Sequence, residues 1–435
     1  MSDGAASGPA APCHEPVTNA AYPARVAHPR RRKHVDPQTR PGRRGRPAGR
    51  LLSDVAPNSR PFSVRRRLLL ASAAASVAAP MAWARPPSRP AGNGITIAQI
   101  VDNSAAQQDV ARDFLIGSRA AWQDIQARGG VRGRPVNHLS VEVDGTPASL
   151  RSALATLRDD PACVVLSGTA GGPLAALVAT TLPRESLPIA HAAPWLQDSS
   201  LEVDERTFPI FATRQEQIGH ALKSLITMGV ADVGAVYASE DDYRLHHADL
   251  ERIAAALKLR LQGFRAAGEL ARLGQKLTPG TPAILLFIGG TPELVQFTQG
   301  LERQQRQRYV IALADVNLQT VMQMGGARST PVIATQAVPM VTAALPVVRS
   351  YRETLSRLFD EPPAPLSLAG FIAARYTFEV LREIEGPVTR QAVLAAFQRR
   401  AAMDVGGYRV AYDGQRRAGG FVTQSMLTVD GRVVG

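Results

Sequence analysis

The stretch CVVLSGTAGGPLAALVATTL, Cys163 to Leu182, decides how the chain is read. Val164, Val165 and Leu166 run into a turn of small residues, and an Ala- and Leu-rich helical pattern follows. Strand, Gly-rich turn and helix is the layout that offers free helix N-terminal amides to an anion. The turn is not a P-loop, because no Gly-Lys-Ser/Thr follows, and it lacks the G-x-G-x-x-G spacing of a pyrophosphate cradle. Two readings of Ser167, Gly168, Thr169, Ala170 and Gly171 stay open. One is a carboxylate site built on free amides and the Thr169 hydroxyl; the other is a tight turn whose glycines serve packing.

Outward from this turn, strand and helix patterns alternate. ITIAQIV (95–101), NHLSVEV (137–143), CVVLS and LPIAHA (187–192) read as strands, with helical patterns between them. The rhythm resumes after FPIFAT (208–213): RQEQIGHALKSLITMG is helix, DVGAVYA strand, DLERIAAALK helix, PAILLFIGG strand, PELVQFTQGLERQ helix, and RYVIAL and TPVIATQAV strands. Helical segments at 345–359, 367–385 and 388–400 come next, and short strand-like pieces close the chain. Repeated strand–helix units predict an α/β fold of doubly wound parallel sheets. The long late helices are expected to return to the first lobe.

The formal net charge of +13 first suggests nucleic acid or a membrane surface. Its distribution removes that suggestion. Residues 1–84 carry 14 Lys/Arg and 4 Asp/Glu, whereas the remaining 351 residues carry 36 and 33. The folded part is nearly neutral, and no nucleic-acid partner is expected. Residues 1–62 are rich in Pro, Gly, Ala and Arg, without apolar periodicity or interleaved aromatics, and read as a disordered basic extension. Residues 63–84 have the three parts of a signal peptide: Arg65 to Arg67, an apolar run from Leu68 to Ala79, and Ala82-Trp83-Ala84. The arginines also resemble a twin-arginine signal, and both export routes stay open. No later stretch approaches the length needed to span a bilayer, so an exported, periplasmic location is expected.

The residues that carry chemistry are sparse. Cys163 is the one cysteine after the leader and reads as a small core residue. There is no G-x-S-x-G and no H-E-x-x-H. His246 and His247 are adjacent, and neighbouring helical side chains diverge by about 100°, so they do not share a metal. No enzyme activity, cofactor or metal is expected.

Several runs together resemble a family. FLIGSRAAWQDIQARGGVRGRPVNHLSVEVDG, VVLSGTAGGP, SLPIAHAA, FPIFATRQEQ, YASEDDYRLHHADL, ATQAVPMV, LAGFIAARYTFEVLREI and VGGYRVAYDG occur in the order of the branched-chain amino-acid (Leu/Ile/Val-type) periplasmic binding proteins. These are the substrate-binding components of ABC importers, and the resemblance covers residues 94–432. It implies a type I periplasmic binding fold: two lobes joined by a three-strand hinge, with a solute held between them and lobe closure as the mechanism. Residues 94–212 plus 340–404 form lobe 1 on this reading, and 213–339 plus 405–435 form lobe 2.

Carried over residue by residue, the resemblance implies first-lobe ligand contacts at Gly168, Thr169, Ala170, Ala192 and Ala193, with Asn103 and Ser104 on the same cleft edge. In the second lobe it implies Tyr243, in a loop with Glu240, Asp241 and Asp242, and Asp315, at or next to the family's acid for a ligand ammonium. The pattern departs at Ala193-Pro194, Val143-Asp144 and Phe211-Ala212-Thr213, where the family keeps Ala-Thr, Asp-Asp and Phe-Arg-Thr. Trp195 and His191 stand beside the first departure, as site lining or as packing. The expected function is an exported solute-binding component of an ABC importer, taking an amino acid or a related carboxylate-bearing solute. Its implied partners are permease and ATPase subunits, and it is expected to be a monomer. The rival reading is the ligand-sensing domain of a receptor or regulator on the same fold.

Overall fold

The computed structural model describes residues 94–435, apart from 267, 413, 415, 429 and 431. The basic extension and the signal segment read from the sequence lie outside the described residues. The chain opens with β1 (Ile95–Asp102), buried along its whole length, as a central parallel strand covered on both faces must be. Next come α1 (Gln108–Ala127), β2 (Val136–Val143), α2 (Pro147–Asp159), β3 (Cys163–Ser167), α3 (Gly172–Arg184), β4 (Ala190–Ala192) and the two-residue β5 (Thr207–Phe208). They form one parallel sheet in the order β2-β1-β3-β4-β5.

The chain then crosses to a second sheet through α4 (Arg214–Thr227), whose start is set by a reciprocal cap between Thr213 and Glu216. β6 (Asp232–Tyr237), α5 (Glu240–Ala256), β7 (Arg260–Arg265), α6 (Leu270–Lys276), β8 (Ile284–Ile288), α7 (Thr291–Leu301), β9 (Tyr309–Ala312), α8 (Leu318–Gln323) and β10 (Val332–Gln336) follow. α9 (Pro346–Leu358), α10 (Pro365–Arg382), α11 (Arg390–Gln398) and the hairpin β11 (Met403–Val405) and β12 (Tyr408–Val410) come next. β13 (Thr423–Leu427) and β14 (Val433–Val434) complete the second sheet, in the order β14-β13-β10-β9-β8-β6-β7, with β13 antiparallel to β10. Each sheet carries helices from its own crossovers, and the molecule has two doubly wound lobes.

The late helices return to the first lobe. α10 lies so close to α1 that a side chain at Gly117 would run into the Ser367 carbonyl, and one at Gly370 into the Phe114 carbonyl. Val393, Phe397, Tyr408 and Val410 share one buried cluster with Phe114, Trp122 and Phe208. The hairpin from Met403 to Val410 thus packs in the first core, whereas the sequence reading divided it after Asp404. Burial of Tyr408, which donates to the Ile210 carbonyl at 2.7 Å, holds it there.

The structure adds the short helices α6 and α8 to the sequence reading, and two further elements differ from it for physical reasons. β7 carries no apolar alternation because it is the exposed edge strand of its sheet. α5 begins at Glu240, where the sequence suggested a loop, because Ser239 caps it by accepting from the Asp242 N–H at 3.0 Å.

Candidate functional site

In open parallel sheets, ligands bind beyond the carboxyl ends of the strands. Here the two sheets meet at those ends. Trp195 follows β4 in the first lobe and Asp315 follows β9 in the second. The Trp195 Nε1–H donates to Asp315 Oδ1 at 2.9 Å. A second cross-lobe bond runs from Asn317 Nδ2 to Asp113 Oδ2 of α1, at 2.5 Å.

The Ser167–Gly171 turn lies at this junction, and its polar groups are directed inward. The Gly168 N–H donates to the Ala192 carbonyl at 2.8 Å and the Ala170 N–H to the Ile100 carbonyl at 3.0 Å. The Gly168 carbonyl accepts from Gln99 Nε2 at 2.7 Å. The Ser167 and Thr377 hydroxyls are 2.8 Å apart, and the Thr169 hydroxyl lies 2.8 Å from His191 Nε2. Gly168 and Gly171 both have positive φ, +67° and +111°. A Cβ on Gly171 would stand 2.7 Å from the Asp102 Cβ. Glycine is required here for conformation and for space alike. Of the two readings the sequence left open for this turn, a carboxylate site or a packing device, the partners of the Gly168 and Ala170 N–H groups and of the Ser167 and Thr169 hydroxyls lie within the protein, as packing requires.

Burial explains the state of His191. With no exposed surface, its imidazole is pushed down to about 3 and stays neutral, set between the Thr169 and Thr207 hydroxyls. Asp113 moves the opposite way for the same reason: desolvation lifts its carboxyl to about 6, against the lowering effect of the Asn317 hydrogen bond. His246, in α5, is pushed down to about 4, by burial first and then by Arg214.

Trp195 fills the centre of the junction. It is 1% exposed, and its ring centroid lies 5.2 Å from Phe211 and 5.9 Å from Phe114. Its backbone N–H donates to the Thr169 carbonyl at 2.9 Å. The chain reaches this position through Ala193, which takes the left-handed conformation at φ 47°. That conformation costs a non-glycine residue roughly 1 kcal/mol and persists only where surrounding contacts enforce it. Asp315 has a partner on each oxygen: Oδ1 accepts from Trp195, and Oδ2 from Arg214 Nη2 at 2.5 Å.

The structure therefore brings Gly168, Thr169, Ala170, Ala192, Ala193 and Asp315 together around Trp195. All six are buried. The other expected residues make their side-chain or backbone contacts with residues outside this cluster. Asn103 is exposed and reaches Glu142, and Ser104 donates its N–H to the Asp102 carboxylate. Tyr243 lies in the first turn of α5, stacked on His247 at 4.3 Å, with the Arg265 guanidinium 4.4 Å from its ring centroid. Arg214 was missed, although its place directly after the Phe211-Ala212-Thr213 crossover was a signal. Beside the Asn317 contact, a cavity of about 450 Å³ opens at the hinge, lined in part by Leu318, Gln336, Met340, Val341 and Pro365.

Solved structures share this architecture. An extracellular ligand-binding receptor from Verminephrobacter eiseniae superposes with a TM-score of 0.71 at 17% identity, covering 79% of this chain and 100% of its own. A possible leucine/isoleucine/valine-binding protein from Rhodopirellula baltica gives 0.68 at 17% identity, covering 80% and 98%. A fatty acid ABC transporter substrate-binding protein from Thermomonospora curvata gives 0.64 at 14% identity, covering 78% and 90%. A comparison with curated proteins finds no sequence match. A family model described as periplasmic binding protein matches residues 94–430, and the chain belongs to that family.

Proposed function

We propose that the chain is the exported solute-binding component of an ABC importer, and that it holds a small carboxylate-bearing solute between its two lobes. The observation that carries this reading is the junction itself. The carboxyl ends of two parallel sheets face one another, and residues of both lobes meet there through Trp195 and Asp315. No bond is made or broken in this function. Solute contacts from both lobes favour the closed arrangement, and the closed form is what a permease recognises. An N-terminal signal delivers the chain to the periplasm on this reading.

Two features support the carboxylate class. The neighbouring structures named for leucine, isoleucine and valine or for fatty acids have solutes that share a carboxylate. The second feature is Arg214, a guanidinium at the junction whose one hydrogen bond among the described residues goes to Asp315. A solute carboxylate would share or displace that partner. Asn103 and Ser104 would form the outer rim.

The test is mass spectrometry of small molecules released from protein purified from the cell envelope, followed by calorimetry with amino, fatty and aromatic acids. Release and rebinding of a carboxylate supports the reading. Binding only of a solute without a carboxylate overturns the solute class, and no binding by any member of a broad panel overturns the transport role.

A further inference from the structure

We propose that Trp195 is a built-in occupant of the cleft. It is a latch that closes the two lobes on the protein's own side chain, over a site shaped for a planar aromatic solute with an N–H donor. The inference rests on the reading that solutes bind between the lobes, and adds what occupies that place when none is present.

Three observations carry it. The indole lies beyond the carboxyl ends of the strands and is enclosed as a bound ligand would be, against Phe114 and Phe211. It also makes the contacts of a ligand to both lobes. Its ring packs on Phe114 of the first lobe, and its ring N–H bonds Asp315 of the second. An aromatic solute entering here has to supply what the indole supplies: a flat ring for the phenylalanines and a donor for Asp315 Oδ1.

The third observation is that the segment bearing Trp195 is not relaxed. Ala193 is held at positive φ. Two residues beyond Trp195, the Gln197 amide is 2% exposed, and neither its nitrogen nor its oxygen has a hydrogen-bond partner. A buried amide with both groups unsatisfied is a cost of the present arrangement. Movement of residues 193–197 out of the junction gives up the backbone bonds of Ala193 to Phe208, Trp195 to Thr169 and Gln197 to Arg214, and in exchange relieves both features and vacates the ring's space. The latch and a solute then compete for one place, and the affinity measured for any solute is lowered by the fraction of molecules that are latched.

The experiment uses the purified protein, the variant W195A, and indole as probe. Hydrogen exchange is followed at the 167–171 turn and at 313–317, with thermal melting in parallel. The wild type should protect both segments without any solute, and indole should leave its melting temperature unchanged. W195A should lose protection at both segments together, by at least tenfold in rate, and indole should restore protection and raise the melting temperature. Should W195A fail to fold, W195F keeps the ring and removes the donor; it should speed exchange at 313–317 while leaving 167–171 protected. Equal protection in W195A and wild type, or an equal effect of indole on both, overturns the latch. Neither result depends on the natural solute, so the latch can fail while the transport reading stands, and the reverse.

Discussion

Two turns hold the same position in their respective lobes and are used differently. The first follows β3, the second follows β8, and each of these strands lies next to its sheet's first strand, in the matching orders β2-β1-β3-β4 and β7-β6-β8-β9. Both pass through glycine and threonine into a helix with proline in its first turn. Both threonine hydroxyls serve the protein. Thr169 bonds His191 of the next strand, and Thr291 accepts from the Asn317 N–H beyond its own next strand at 3.1 Å. Their exposure differs. The first turn is sealed by Trp195, whereas Gly289 and Gly290 of the second are half-buried. A Gly-rich turn at a strand end is thus an offer of donors that the next loop can close off.

The largest effect should come from the glycines. Gly168→Val and Gly171→Val each force a β-branched residue to positive φ against buried neighbours, Phe114 in the one case and Asp102 in the other. Each should destabilise by about 3 kcal/mol or more in chemical denaturation, or prevent folding. A loss under 1 kcal/mol would show the first turn to be as tolerant as the second.

Thr169→Val and Thr291→Val sharpen the comparison next. Each leaves a buried group without its partner and should cost about 1–3 kcal/mol of stability. Affinity for an identified solute should stay within about threefold of wild type in Thr169→Val. A loss of affinity without a loss of stability would return the carboxylate to the first turn.

Acid should act through the same seal. A histidine held neutral at about 3 in the folded protein takes a proton only when the chain unfolds, so its contribution is intact above the ordinary histidine range and declines as pH falls through it. At pH 5 His191 alone should remove about 2 kcal/mol relative to pH 7.5. Asp113, lifted to about 6, opposes this, because its protonated form is favoured in the folded state between pH 6 and 4. His191→Gln should lessen, without abolishing, the loss of stability between pH 7 and 5, because His138 and His246, both pushed down to about 4 by burial, act in the same direction; an unchanged slope would assign the acid sensitivity to those groups.

Gly290→Ala should do least. Gly290 has φ −90°, and an added Cβ meets only the movable end of Glu293 and a proline ring carbon. A cost of about 0.5–1 kcal/mol is expected, because alanine is a poorer N-cap than glycine. A cost approaching that of the Gly171 substitution would erase the contrast between the turns.

Much of the fold is local, and local features are legible in a sequence. The run Cys163–Ser167, the proline in the first turns of α2, α3 and α7, and the caps at Thr146 and Thr213 all act within a few residues. They determined the strand–helix rhythm, and with it two doubly wound lobes. What stayed hidden lacked a local signal: β7, polar because it is an edge, and the attachment of the hairpin at Met403–Val410 to the first core.

The site divides in the same way. The sequence marked Gly168, Thr169, Ala193 and Asp315 as belonging near one another, and the fold gathers them. Which hydrogen bonds they make depends on residues far away in the chain. His191 is 22 positions from Thr169, and Asp315 is 120 from Trp195. A donor in a turn is satisfied by whatever group packing brings within about 3 Å, and that choice is made by the whole structure. Residue identities therefore determined which strand ends face the junction, while the tertiary structure decided that Trp195 is buried there.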